Sequence, residues 1–222
     1  MSTDAPVVTQ ALRSARFAAA GGFFTQGLVF ISLTTRLPVV QKKWQLSSVE
    51  MSLLLLMMVL LAGIGSLAAE KLAARRDSGE VLRGGLAVIA VAVPAIALAP
   101  SFAVFAAALA VYGVALGVVD AATNMQAVAL EHRYGRPILP SFHGAWTLGG
   151  VVGSALTLAT GGLGLGAAAW LGLVPLVVCF AGFLRRGDVS VAEEVDVPWR
   201  PILLVGAALV LFYMVDTAAS TW

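Results

Sequence analysis

Charged residues are scarce in this 222-residue chain. They make up 12% of it, whereas a soluble domain carries roughly a quarter. Hydrophobic residues make up 59%, and the mean hydropathy is +0.93. A folded chain of this size cannot cover its surface with so few charges, so much of that surface must face lipid. The composition predicts a polytopic helical membrane protein.

Residues that carry most enzyme and metal chemistry are also few. The single cysteine, Cys179, excludes an intrachain disulfide, and with only two histidines no zinc-ligand pattern appears. The chain has neither a GxxxxGK[ST] phosphate loop nor a GxSxG nucleophile turn. Its basic residues are split among separate loops. We therefore predict no enzymatic activity, no metal, no cofactor and no nucleic-acid partner.

Long apolar runs dominate the chain instead. At 1.5 Å per residue, six of them are long enough to cross a bilayer and a seventh begins. We place these spans at 17–36, 47–69, 82–100, 102–129, 142–162, 166–184 and 201–222. The predicted fold is all-α: a six-transmembrane-helix bundle over 17–184 plus the start of a seventh helix. Pro38 and Pro137 each precede a polar entry to the next helix, which favours a 3+3 inverted repeat.

Basic residues predict the orientation. All lysines and arginines except Arg36, Lys42 and Lys43 fall on the side that the N-terminus shares. We therefore predict a multi-pass protein of the cytoplasmic (inner) membrane, with a cytoplasmic N-terminal tail at 1–16 and a cytoplasmic central loop at 185–200. Because 201–222 stops without a flanking loop, we expect the chain to be the front part of a longer protein. The alternative is a short chain whose last helix reaches the outer interface.

One carboxylate stands near the middle of the fourth run. Asp120 costs at least about 2.5 kcal/mol in a bilayer, so it persists where it faces a partner, a substrate or water. At 100° per residue it shares a narrow face with Gly113, Gly117, Asn124 and Glu131. That face either packs on another helix or lines a polar cavity. We predict that Asp120 and Asn124 bind solute or protons.

Four other polar residues are candidates for the same role. Asp216 shares a face of the seventh run with Thr217 and Ser220, although an interfacial position is the alternative. Thr25 and Gln26 lie in the first run, where they can also serve as helix–helix hydrogen-bonding groups. His143, at the entry of the fifth span, has either a structural role or one in proton handling or gating.

Glycines spaced four apart indicate close helix packing. Two such pairs are Gly113 with Gly117 and Gly149 with Gly153. Small residues at this spacing let two helices approach in lipid.

The loop predicted after the second span carries a recognisable motif. Residues 66–76 read SLAAEKLAARR, similar to the G-x-L-A-D-R-x-G-R-R loop of the major facilitator superfamily. With six helices and a central connector, the chain resembles the N-terminal half of such a transporter. The resemblance implies a gating role on the cytoplasmic side for Glu70, Lys71, Arg75 and Arg76.

A narrower resemblance concerns the fourth and fifth spans. Asp120 is followed by Asn124, and then by Ser141-Phe142 with Gly149 and Gly153 downstream. This pattern is similar to the fucose-permease-like branch, including its bacterial inner-membrane members. The resemblance implies that Asp120 handles protons and a sugar-like solute.

These features together predict a secondary active transporter of a small polar solute, working by alternating access and coupled to protons. Its expected partners are the lipid bilayer, the solute, protons and a second six-helix bundle. Two alternatives remain: a truncated non-transporting remnant or membrane interaction subunit, and a multidrug or metabolite exporter. The reading frame beyond Trp222 tests the first alternative: further hydrophobic spans would favour the transporter, and a stop codon would favour the remnant.

Overall fold

The computed structural model describes residues 9–185 and, near the C-terminal end, residues 200, 201, 203, 204, 207, 208 and 211. The chain divides into two compact units, 1–189 and 190–222. In the second unit the described residues are helical, and most of the predicted seventh span lies outside them.

The first unit is helical wherever it has regular secondary structure among its described residues, which confirms the predicted all-α class. Its α-helices are α1 (Gln10–Thr34), α2 (Leu37–Trp44), α3 (Ser48–Arg75), α4 (Ser78–Ala97), α5 (Phe102–Tyr134), α6 (Leu139–Ala159) and α7 (Leu173–Val178). Two 3-10 helices, Gly161–Leu163 and Leu165–Gly172, lie between α6 and α7.

Four of the described helices are long and apolar enough to cross a membrane: α1, α3, α4 and α5. They support a multi-pass membrane protein. α6 is 21 residues long. The total of six spans and the 3+3 repeat remain predictions.

Several helices extend beyond the predicted spans, because a helix ends at its caps and not where apolar residues stop. α1 starts at Gln10, seven residues early, since the Thr9 side chain accepts a hydrogen bond from the Leu12 amide. α5 continues to Tyr134 and ends at Gly135, whose φ of 60° is the left-handed conformation that glycine adopts readily.

The predicted sixth span, 166–184, is not one continuous α-helix. The structure has the 3-10 helix Leu165–Gly172, the short α7, and an irregular segment from Gly182 to Arg185. Gly164 precedes it with a φ of 69°. Pro175 has no amide hydrogen to donate to the preceding turn. Apolar composition alone therefore overestimated the helix here.

Two helix pairs, α1 with α6 and α3 with α5, form the frame of the bundle. In each pair, a glycine on either helix lies against the backbone of the other. On α1, a Cβ at Gly27 would overlap the carbonyl oxygen of Trp146 on α6, and one at Gly149 on α6 would overlap that of Phe24 on α1. On α3, a Cβ at Gly65 would overlap the carbonyl oxygen of Val114 on α5. On α5, a Cβ at Gly117 would overlap the carbonyl oxygen of Ala62 on α3. The backbones in both pairs are in direct contact.

The remaining long helix, α4, packs on α5 and on the 3-10 helix Leu165–Gly172. Its inward side chains, including Leu82, Leu86 and Val93, are completely buried. In contrast, only 17% of the most apolar part of α3 is buried, against 56% in α1 and in α4. The exposed apolar face of α3 is suited to contact lipid or another bundle.

A fully buried glutamine holds Leu184, close to the last described residue of the first unit. Gln126 on α5 donates from Nε2 to the Leu184 carbonyl at 3.1 Å and to Ser78 Oγ at 2.8 Å. Its Oε1 accepts from the Leu184 amide at 2.9 Å. The one side chain therefore satisfies both backbone groups of a residue 58 positions away in the sequence.

Replacing Gln126 with leucine is expected to lower the free energy of unfolding by about 2–6 kcal/mol, because the buried amide and carbonyl of Leu184 would each lose a partner at about 1–3 kcal/mol. The comparison is Ser78→Ala, which removes only one of the three bonds and should cost a third or less of that amount. Thermal and denaturant unfolding of both variants in one detergent provides the measurement. Equal effects of the two substitutions would contradict this account of Gln126.

Candidate functional site

A cavity of about 490 Å³ lies among α1, α3, α5 and α6. Its wall combines a few polar groups with apolar and aromatic ones, as solute-binding sites in proteins usually do. The lining residues are Phe23, Gln26, Phe30, Ala62, Gly63, Ser66, Leu116, Gly117, Asp120, His143 and Trp146. Three of the residues proposed from the sequence to bind solute or protons, Gln26, Asp120 and His143, are among them.

The central polar contact joins α1 to α5. Gln26 Nε2 donates a hydrogen bond to Asp120 Oδ1 at 2.8 Å. Gln26 is 7% exposed, whereas Asp120 is exposed and lines the cavity. The other amide atom of Gln26, Oε1, is buried and has no hydrogen-bond donor among the described residues. Gln26 thus orients the carboxylate and leaves one of its own acceptor groups unfilled.

His143 of α6 and aromatic residues of α1 and α6 also line the cavity. The His143 ring meets the Phe23 ring edge-on, with centroids 5.5 Å apart, and Phe23 stacks on Phe142 at 5.7 Å. His143 is exposed, and Trp146 lies one turn further along α6. The Phe23 contact holds the imidazole in the wall of the cavity.

Helix α6 is held in place by an acid from α5. Glu131 Oε2 accepts hydrogen bonds from the amides of Ile138 and Leu139 at 2.7 and 2.8 Å, at the point where α6 begins. A carboxylate there also interacts favourably with the helix dipole. Glu131, which the helical wheel placed on the face of Asp120, therefore serves as the cap of α6.

A close backbone contact forms the third wall. Gly117 packs against the Ala62 carbonyl of α3, and Ser66 Oγ donates to the Gly117 carbonyl at 3.1 Å. These contacts bring α3 to within one turn of Asp120 along α5. Ser66 was noted in the sequence only as part of the loop motif, so its place in the cavity was missed.

Two other proposed solute-binding residues, Asn124 and Thr25, are not among the residues that line this cavity. Asn124 donates from its side-chain amide to the Asp120 backbone carbonyl at 2.9 Å, so it bonds to its own helix. Thr25 is 1% exposed, and its hydroxyl has no partner among the residues that the structure describes. Asp216 lies outside the described residues.

The proposed gating residues are at the end of α3. Glu70, Lys71 and Arg75 are exposed and belong to the helix itself, while only Arg76 and Asp77 separate α3 from α4. The predicted loop is therefore mostly helical. Arg76 helps to line a separate apolar cavity of about 450 Å³ among α3, α4 and α5.

The proposed packing glycines all meet a neighbouring helix. An added Cβ would lie 2.8 Å from the Met58 carbonyl oxygen at Gly113, and 2.6 Å from that of Leu28 at Gly153. At Gly149 and Gly117 it would overlap a carbonyl oxygen, as described above.

Sequence reasoning also missed the role of Arg36. The pattern of basic residues places it on the outer side of the membrane, yet its side chain is only 4% exposed. It donates to the Ser32 carbonyl at 2.9 Å and to the hydroxyls of Thr157 and Thr160 at 2.6 and 2.7 Å. Arg36 thus ties the end of α1 to the end of α6, beyond the cavity.

Comparison with known proteins gives two relatives. An uncharacterized MFS-type transporter of Yersinia pestis is 34% identical over 163 residues, which cover 72% of this chain and 39% of that protein. An uncharacterized transporter of Sinorhizobium fredii is 31% identical over 140 residues, which cover 61% of this chain and 36% of that protein. No family model matches the chain.

These relatives support a membrane transporter of the major facilitator type. The chain spans less than two fifths of the length of either relative. The names also favour a transport role over an enzymatic one. The fucose-permease-like branch remains a prediction from the Asp120 and Asn124 pattern.

Proposed function

We propose that this chain forms one bundle of a secondary active transporter that moves a small polar solute across the cytoplasmic membrane by alternating access, coupled to protons. The observation that carries the proposal is the exposed Asp120 carboxylate, held by Gln26 at 2.8 Å inside a cavity between helices. Two relatives named as transporters support it.

The cavity wall favours a hydroxyl-bearing, sugar-like solute. The Asp120 carboxylate accepts hydrogen bonds from solute hydroxyls, and the unfilled Oε1 of Gln26 accepts another once the side chain adjusts. Trp146, Phe23 and Phe30 offer flat apolar surfaces to the carbon face of such a molecule. The wall therefore matches a solute with an apolar face and polar edges.

Proton coupling follows from the cost of a buried charge. When the cavity closes to water, an ionised Asp120 becomes expensive, and a protonated one is much cheaper. Protonation therefore favours the closed, reorienting form. In the proposed cycle, a second bundle packs across the cavity, and rocking of the two bundles exposes Asp120 to each side in turn. Glu70, Lys71, Arg75 and Arg76 gate the cytoplasmic side.

The test uses the full-length protein. A thermal-shift screen over sugars, sugar acids and amino acids identifies a solute that binds, and the protein is then reconstituted in vesicles that contain a pH-sensitive dye. A gradient of that solute should change the internal pH, whereas a solute that does not bind should leave it constant.

Two results would argue against the proposal. Solute uptake at constant internal pH would contradict the proposed proton coupling but would still support a transporter. No uptake of any solute that binds would overturn the transporter itself and favour an interaction subunit.

A further inference from the structure

A second polar cavity, of about 530 Å³, lies where α1 begins and where α5 meets α6. We call it the arginine cavity. It is lined by Arg13, Arg16, Phe17, Ala20, Tyr134, Arg136, Ser141 and Phe142. Three of these residues are arginines, and none is an acid. Among the residues that the structure describes, the wall of this cavity therefore carries three positive charges and no negative one.

One of the arginines is held in position before any ligand arrives. Arg16 donates from a terminal nitrogen to Ser141 Oγ at 3.3 Å, and its guanidinium carbon lies 5.4 Å from the centroid of the Tyr134 ring. The Ser141 hydroxyl donates to the Ile138 carbonyl at 2.6 Å, so its lone pairs point elsewhere and are free to accept. Tyr134 is only 5% exposed. These contacts lower the conformational entropy that Arg16 loses on binding an anion.

The acid nearest to the arginine cavity in the sequence is already engaged. Glu131 Oε2 accepts from both amides at the start of α6, at 2.7 and 2.8 Å. Its charge is therefore directed to the helix end. Three guanidinium groups around one cavity repel each other, and a bound anion would relieve that repulsion.

The chemistry of the wall suits an oxyanion such as phosphate. A guanidinium presents parallel N–H donors that match two oxygens of one phosphate group. Phe17, one turn from Arg13 on α1, is 78% exposed and adds an apolar ring beside these donors. Basic groups with adjacent apolar surface at the predicted cytoplasmic end of a membrane helix suit a phospholipid headgroup.

We propose that the arginine cavity binds a phosphate-bearing anion through Arg13, Arg16 and Arg136. Two sources share this chemistry: the phosphodiester headgroup of an anionic phospholipid, and free inorganic phosphate. The site is separate from the Asp120 cavity, so the proposal does not depend on the transported solute.

The experiment titrates the full-length protein in a neutral detergent with phosphatidylglycerol, with zwitterionic phosphatidylcholine, and with inorganic phosphate at constant ionic strength. Binding is followed by the thermal midpoint. The variant Arg16→Gln/Arg136→Gln should bind the preferred anion about 25-fold more weakly, at about fivefold for each arginine. Arg133→Gln, an exposed arginine of the same region that lies outside the cavity wall, should bind like the wild type.

The three titrations distinguish the two sources of the anion. Stabilisation by phosphatidylglycerol alone assigns the site to a lipid headgroup, and stabilisation by inorganic phosphate as well assigns it to free phosphate. If neither anion stabilises the wild type more than phosphatidylcholine does, or if the double variant binds as tightly as the wild type, the proposal is wrong. Should the double variant not fold, Arg136→Gln alone replaces it, with an expected weakening of about fivefold.

Discussion

Replacing Asp120 with asparagine is expected to abolish solute-driven proton movement while leaving the bundle folded. The carboxylate accepts from Gln26 Nε2 at 2.8 Å, and an asparagine Oδ1 offers the same acceptor in the same place. The two side chains have nearly the same volume, so the packing around α5 is preserved. An amide, however, does not bind and release a proton near neutral pH. The internal pH change should fall to that of empty vesicles, with a thermal midpoint within a few degrees of the wild type.

The matched control is Glu80→Gln, the same chemical change on an exposed acid of α4 that lies outside the Asp120 cavity. It should retain full proton movement. If Asp120→Asn retains it too, the coupling group lies elsewhere, and Asp120 is then a solute ligand or a packing group.

The second large effect is expected on stability. Replacing Gly65 with alanine should lower the free energy of unfolding by about 1–3 kcal/mol or more, as overpacking of a tight contact does. A Cβ at this position would overlap the Val114 carbonyl oxygen and lie 2.9 Å from its carbon. These are backbone atoms, which cannot rotate away. The two helices must therefore separate, and the contacts along α3 and α5 are lost together.

Gly63→Ala on the same helix is the control, and its expected effect has the opposite sign. Nothing lies within 4 Å of a Cβ added at Gly63. Alanine there should raise the free energy of unfolding by roughly 0.5–1 kcal/mol, because glycine is the poorer helix former. Both variants are compared by thermal and denaturant unfolding in one detergent. A similar loss for both would show that the α3–α5 contact is not decisive.

The sequence predicted the all-helical class and the apolar helices well, because both follow from composition and length. It predicted neighbours less well. The wheel placed Asp120, Asn124 and Glu131 on one face of α5, and along that face the partners change. Asp120 meets Gln26 of α1, Asn124 bonds back to its own helix, and Glu131 caps α6. A wheel gives the angle of a side chain and not the element that it meets.

Gln126 and Arg36 show the same limit for buried polar residues. Their partners on other elements lie 48 and 58 positions away for Gln126 and 121 and 124 positions away for Arg36, so no local pattern identifies them. The prediction of the sixth span was wrong for another reason. Its apolar composition satisfies a hydropathy criterion, whereas its glycines and Pro175 weaken the continuous hydrogen-bond ladder that a long α-helix needs.

The reciprocal glycines have a mechanical consequence. Within α1–α6 and within α3–α5, backbone touches backbone, so neither pair can slide without a steric clash. We expect each pair to behave as a stiff rod. Between the rods, around the Asp120 cavity, the contacts include rotatable side chains such as Gln26, and these can break and reform at low cost. The compliance of the bundle is thus concentrated at the cavity, where a small change in width alters how much water reaches the carboxylate.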